Sequence, residues 1–183
     1  MGRENEIAVL DVRKADVMKR IRAAGARHIG SYHFRRVEFL LKGNVKGRHS
    51  WGRIRDDGKC TTVTFKELKG SRINEVEAKA YDFKDTVKIM TRIVSPKLMV
   101  YFENDRELYS LGKAEISINK WPRIPYFVEI EAPSMKEVNI ARILLGINGR
   151  IAVGMPIHKI YKAYGLDFTA VMGRNRKKLM GLM

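Results

Sequence analysis

The feature that most limits what this chain can become is an alternation that places polar or ionisable residues two apart. Glu4 and Glu6, Arg53 and Arg55, Thr64 and Lys66, Glu75 and Glu77, and Glu129 and Glu131 all follow it. Successive side chains of a strand point to opposite faces, so each pair shares one face. The residues of the other parity are apolar: Ile7 and Val9, Val63 and Phe65, Val76 and Ala78, Val128 and Ile130. These segments are predicted to form antiparallel strands, each with one face for a core and one face crowded with charge.

The rest of the chain connects them. Alternation predicts a strand over 3–12. Val17, Ile21 and Ala24 at helical spacing before Gly25 predict a helix over 15–24. A strand over 32–41 leads into a Gly- and Lys-rich loop over 42–50. Residues 51–56 and 60–67 form a hairpin around Asp57-Gly58, and after a basic linker a further strand covers 73–79. A helix beginning at Asp82 or Asp85 buries Val87 and Met90 and ends before Pro96. Strands follow over 98–103, 106–111, 113–119 and 126–131. Ser134 and Glu137 then form a capping box for a helix ended by Gly146. A loop, a short helix over 156–164 and a basic tail complete the chain. The domain expectation is a single unit over 1–170 and a tail over 171–183, whose Arg174-Asn-Arg-Lys-Lys178 run has little periodicity.

Charge narrows the partners. Thirty-six Lys and Arg against twenty Asp and Glu give a formal charge of +16 over 183 residues, which suits nucleic acid, nucleotide, polyphosphate or an acidic membrane surface. The single cysteine, Cys60, excludes an intramolecular disulfide and suits a reducing compartment. No apolar run approaches the roughly 20 residues of a membrane span, and the N-terminus has no signal-peptide core. The expectation is a cytoplasmic protein without a membrane partner, with a homodimer left open. The four histidines lack metal-ligand spacing, and no glycine-rich phosphate loop occurs.

Seven or eight antiparallel strands suggest one sheet large enough to close. The charged face is then either solvated or lines an interior, and the apolar opposite parity, with helices to cover it, favours the interior. Charges held in a lumen must neutralise one another or be completed by metal and polyanion. Acidic pairs facing Arg53, Arg55, Lys66 and Arg106 make a site for a divalent cation and a polyphosphate. Carboxylate oxygens suit Mg2+ or Mn2+, and guanidinium forks suit phosphate.

Together, Glu4-x-Glu6, Arg53-Ile-Arg55, Thr64-x-Lys66, Glu75-x-Glu77, Arg106-Glu-x-Tyr109 and Phe127-Val-Glu129-Ile-Glu131 resemble the CYTH superfamily. That group includes class IV adenylyl cyclases, thiamine triphosphatases and related triphosphate tunnel metalloenzymes. Trp121-Pro-Arg-Ile-Pro125 and Ile160-Tyr-Lys-Ala-Tyr-Gly165 further resemble a cyclase-like prokaryotic branch. The likeness covers residues 4–167. It implies an α+β fold: a closed eight-stranded antiparallel β-barrel, the triphosphate tunnel, with helices packed on the outside. It implies triphosphate binding by Arg36, Arg53, Arg55, Lys66 and Arg106, and catalytic roles for Glu6, Lys66 and Arg106. The implied metal ligands are Glu4, Glu6, Glu75, Glu77, Glu129 and Glu131, with Mg2+ or Mn2+ as cofactor. The substrate would be a nucleoside or other organic triphosphate, converted to cyclic AMP and pyrophosphate or hydrolysed. Ala8, Asp105, Asn119 and Lys79 depart from the pattern, respectively in place of a lysine, a lysine, an aspartate and a third acid. These departures point to a weakened tunnel that binds a nucleotide, or an RNA 5′-triphosphate end assisted by the basic surface, without efficient turnover.

Overall fold

The computed structural model describes residues 5–41, 48–69 and 72–183, apart from the side chains at 48, 49, 69, 72 and 73. Glu4 and the segment 42–47 lie outside the described residues. The elements in order are β1 (Glu6–Leu10), α1 (Lys14–Ala23), β2 (Arg27–Leu40), β3 (Arg48–Asp56), β4 (Thr61–Lys69), β5 (Arg72–Ala80) and α2 (Phe83–Ile93). There follow β6 (Met99–Leu111), β7 (Ala114–Lys120), β8 (Phe127–Glu131), α3 (Met135–Leu145), β9 (Arg150–Val153), α4 (Ile157–Ala163), α5 (Phe168–Gly173) and α6 (Arg176–Leu182).

The strands form one nine-stranded sheet in the order β5-β4-β3-β2-β6-β7-β8-β1-β9. The pairings β1–β8, β1–β9, β2–β3, β3–β4, β4–β5, β6–β7 and β7–β8 are antiparallel. The fold class is therefore α+β with a large antiparallel sheet, as expected, but its hydrogen-bonding order has two ends. Eight strands were expected and the sheet has nine; its hydrogen-bonded order among the described residues is not that of a closed barrel. The added strand is β9, which takes the second edge of β1 through Ile7↔Val153, Ala8↔Ala152 and Val9↔Ile151. Four residues are too few for a visible period, so the sequence leaves this segment as loop. Gly149 admits it: a Cβ there would stand 2.3 Å from the Leu10 carbonyl oxygen. The segments 98–103 and 106–111, expected as two strands, are continuous in β6, because no glycine or proline interrupts them before the turn at Gly112.

Two compact units divide the described residues, one of 33–103 with 169–183, the other of 5–32 with 104–168. In the first, Val37, Phe39 and Ile54 of the sheet pack with Phe83 and Val87 of α2 and Leu179 of α6. Phe39 is opposite Gly52, where a Cβ would come within 2.2 Å of the ring, so only glycine lets that ring lie across the strand. The β3–β4 hairpin closes as its sequence predicts. Asp57 Oδ1 accepts from the amides of Lys59 and Cys60 at 2.9 and 2.7 Å, and Asp56 Oδ1 accepts from Gly58 at 2.9 Å. Asp82 caps α2 by accepting from the Asp85 amide at 2.8 Å.

In the second unit, Ile7, Val9, Ile116, Ile118, Val128 and Ile130 make an apolar sheet face. It is covered by Val17 and Ile21 of α1 and by Val138, Ala141 and Leu145 of α3. Ser134 caps α3, its Oγ accepting from the Glu137 amide at 3.3 Å and donating to Glu137 Oε2 at 3.1 Å, which is the expected capping box. No helix among the described residues is long and apolar enough to cross a membrane.

The basic C-terminal run is structured. Leu179 is 2% exposed in the first unit's core, Asn175 Nδ2 donates to the Tyr101 carbonyl at 3.2 Å, and Lys178 pairs with Glu103 at 3.0 Å. Leu179→Ala should lower stability by about 2–5 kcal/mol in urea denaturation, the usual cost of emptying a buried leucine site. An unchanged midpoint would mean that α6 does not dock.

Candidate functional site

In the first unit, register turns the alternation of β2 to β5 into a grid. One row runs Arg36, Arg55, Thr62, Lys79; the next runs Glu38, Arg53, Thr64, Glu77; the third runs Leu40, Trp51, Lys66, Glu75. Five cations share this face with three carboxylates, so it carries excess positive charge. Thr64 Oγ1 donates to Glu77 Oε2 at 2.6 Å and accepts from Arg53 Nη2 at 3.5 Å. Arg53 and Arg55 lie 3.9 and 3.8 Å from the same Glu77 oxygen, and Lys66 is 2.7 Å from Glu75. Glu75 and Glu77 thus serve here as counter-ions of the basic row.

Arg36 and Arg55 are cross-strand partners, an unfavourable pairing of like charges. Their guanidinium groups lie 4.8 and 5.5 Å from the centroid of the Phe34 ring, whose negative face attracts both. Burial pulls the Arg53 guanidinium below its ordinary pKa and Arg55 adds to this, while Glu38, Glu75 and Glu77 oppose it. Burial likewise pushes the Glu38 carboxyl up, and Arg36, Arg53 and Lys66 offset it only in part. Arg53 Nε is buried without a hydrogen-bond partner among the described residues. The face therefore holds desolvated positive charge that its own carboxylates do not fully answer.

In the second unit the corresponding rows are acidic. Glu6, Glu131 and Glu115 form one register row across β1, β8 and β7; Ala8, Glu129 and Ser117 form the next; Phe127, Asn119 and Arg106 form the third. Glu129 Oε2 accepts from Arg106 Nη2 at 2.9 Å, Asn119 Nδ2 at 2.9 Å and Ser117 Oγ at 3.2 Å. Arg106 Nε also donates to Asn119 Oδ1 at 2.8 Å. Ala8, 6% exposed, stands between Glu129 and Ala152. Asp105 pairs in register with Lys120, on the face opposite Arg106, so the residue that precedes Arg106 on the charged face is Asn104.

The donor chemistry here suits a hard divalent ion. Glu6 and Glu131 are directly opposite one another, and Mg2+ commonly needs only one or two carboxylates when phosphate oxygens complete its shell. Among the described residues no group of three or more His, Cys, Asp or Glu side chains is gathered closely enough to hold a metal by itself. The fit therefore depends on a ligand that brings oxygens of its own.

The structure places Arg53, Arg55, Lys66, Glu75 and Glu77 in one unit with Arg36, and Glu6, Arg106, Glu129 and Glu131 in the other. The sequence reading misses Glu38, Phe34, Ser117 and Glu115. The runs Phe34-Arg-Arg36-Val-Glu38 and Glu115-Ile-Ser117-Ile-Asn119 have the same alternation as the named pairs and could have been found by it.

No family model and no curated protein matches the chain by sequence. Solved structures do match its fold. A Pyrococcus horikoshii protein aligns with a TM-score of 0.63 and 21% identity over 80% of this chain and 92% of that one. A candidate adenylate cyclase from Bacillus halodurans aligns at 0.57 and 16%, over 86% and 97%. A candidate adenylyl cyclase from Hippeastrum, reported with a dominant triphosphatase activity, aligns at 0.56 and 13%, over 88% and 96%. The chain shares the fold of these solved structures.

The raised pKa of Glu38 gives a stability signature. Its protonated form is favoured by folding, so its contribution is complete below the usual value of 4.5 and is lost as pH rises through the folded value. Glu38→Gln should thus melt higher than the unaltered chain at pH 7, with the difference closing toward pH 4. A gap constant with pH in thermal melts would contradict this.

Proposed function

We propose that the chain binds a nucleoside or other organic triphosphate with a divalent cation and turns it over. The observation that carries the reading is the excess of partly desolvated cations on the face built by β2 to β5. A polyanion supplies the counter-charge that three carboxylates leave short, and its oxygens can reach Arg36, Arg53, Arg55 and Lys66. The CYTH-type fold supports the same class, since structural neighbours are described as candidate adenylate cyclases, one of them with a dominant triphosphatase activity.

Mg2+ or Mn2+, held by Glu131 with Glu6 and Glu129, would screen phosphate charge. The chain's own groups do the rest. In the second unit Arg106 would hold its donors toward phosphate oxygens and stabilise charge as it builds in the transition state, and in the first unit Lys66 offers the same chemistry. Arg106 is aimed in advance by Asn119 and Glu129. Glu6 takes the proton of the nucleophile. In a triphosphatase the nucleophile is water and the target is the terminal phosphorus. In a class IV cyclase it is the ribose 3′-hydroxyl, the target is the α-phosphorus and pyrophosphate leaves.

A second reading, binding without efficient turnover, is favoured by Ala8. That position faces Glu129 with a methyl group where the family pattern has a lysine. An RNA 5′-triphosphate end would suit it, drawn by the outer positive charge with an affinity that falls steeply with salt.

Incubation with ATP, thiamine triphosphate and inorganic tripolyphosphate plus Mg2+ or Mn2+, resolved by chromatography, separates these readings. Cyclic AMP marks the cyclase, free phosphate the triphosphatase, and tight metal-dependent binding without product the binding module. Arg55→Ala and Glu131→Gln should each weaken binding or turnover at least tenfold; if neither changes either quantity, the triphosphate reading is wrong. Ala8→Lys should raise turnover severalfold if the missing cation limits it, and an unchanged rate would remove that explanation.

A further inference from the structure

Asn104 is 3% exposed, and both its Nδ2 and its Oδ1 lack a hydrogen-bond partner among the described residues. A buried amide that uses neither its donor nor its acceptor is rare in folded proteins. The fold does not account for it here. The polar groups of the same sheet face satisfy one another: Arg106, Asn119, Ser117 and Glu129 form a closed network without Asn104. Asn104 is two residues before Arg106 on β6, so the two side chains leave the same face about 7 Å apart along the strand.

The chemistry of the amide restricts what could complete it. It offers an acceptor oxygen beside a donor amine. Phosphate oxygens accept only and would leave Oδ1 unmet, while a cation would leave Nδ2 unmet. The complement is a planar edge on which a donor stands beside an acceptor. An amino group next to a ring nitrogen is such an edge, and asparagine pairs with that edge of adenine through both of its polar atoms. The aminopyrimidine ring of thiamine presents the same arrangement.

We infer that Asn104 is a specificity residue that pairs with an amino-substituted nitrogen heterocycle of the substrate while Arg106 takes its phosphate. This rests on the triphosphate reading above and deepens it by choosing a heterocyclic triphosphate over the inorganic ion. The amide lies beneath its neighbours, so pairing requires a covering side chain to turn aside.

Calorimetric titration of the full chain with Mg2+ tests this, using matched probes. ATP is compared with purine riboside triphosphate, which lacks the amino group, and thiamine triphosphate with oxythiamine triphosphate, in which that group is replaced. Inorganic tripolyphosphate serves as the common reference. In the unaltered chain one amino-bearing ligand should bind at least tenfold more tightly than its matched analogue, and which one does so identifies the heterocycle. Asn104→Leu should abolish that preference and leave tripolyphosphate affinity within about threefold. Equal binding of both matched pairs in the unaltered chain, or a preference that survives Asn104→Leu, overturns the inference; the first comparison holds even if the variant fails to fold. Loss of melting temperature in Asn104→Leu with the preference intact would assign the amide to an internal water instead. If tripolyphosphate and every organic triphosphate fail to bind, the triphosphate reading falls and this inference with it.

Discussion

Like charges stand directly opposite one another on neighbouring strands, and the sheet's register allows no escape from it. Arg36 faces Arg55, and Glu6 faces Glu131, which faces Glu115. Such pairs oppose sheet formation. They persist because the same register places Val37, Ile54 and Val63 together on one apolar face and Ile7, Ile130 and Ile116 on another. A slip of one residue would expose both cores to water, which costs far more than the charge repulsion saves. Core packing therefore fixes the register, and the register imposes the charge pattern.

The two units resolve that strain differently. The basic face interleaves its own counter-ions, Glu75 and Glu77, and rests two guanidinium groups against Phe34. On the acidic face Arg106 is committed to a single oxygen of Glu129, with Asn119 and Ser117 as supports. One face carries excess positive charge and the other holds Glu6, Glu131 and Glu115 in one row. Departures of this kind from local consistency are where function is expected to reside.

Much of this was legible before any coordinates. The parity of Glu129 and Glu131, the hairpin at Asp57-Gly58 and the capping box at Ser134 are local patterns with a direct physical reading, and each appears as written. What escaped was non-local. The strand Arg150–Val153 is too short to have a period and exists because β1 has an edge to offer and Gly149 lets the backbones approach. The docking of α6 depends on one leucine within a basic run, and Leu179 does not announce a helix by spacing. The eight strands were what the family resemblance implied, and β9, on the second edge of β1, is the ninth.

The departures from the family pattern also change meaning once the register is known. Counted along the chain, Asp105 looks like a cation replaced by an acid at the site. Its side chain belongs to the other face with Lys120, so it subtracts nothing from the charged face. Lys79, which looked like a lost acid, joins the row of Arg36 and Arg55 and adds to the positive face. Asn119 holds Arg106 and Glu129 together and is part of the site's scaffold. Two neutral residues of the charged faces bear most on function: Ala8, beside Glu129, and Asn104, on the Arg106 side of β6. The first removes a charge and leaves a methyl group, so it bears on catalytic strength. The second keeps a donor and an acceptor with no internal use for either, so it bears on which ligand the site accepts.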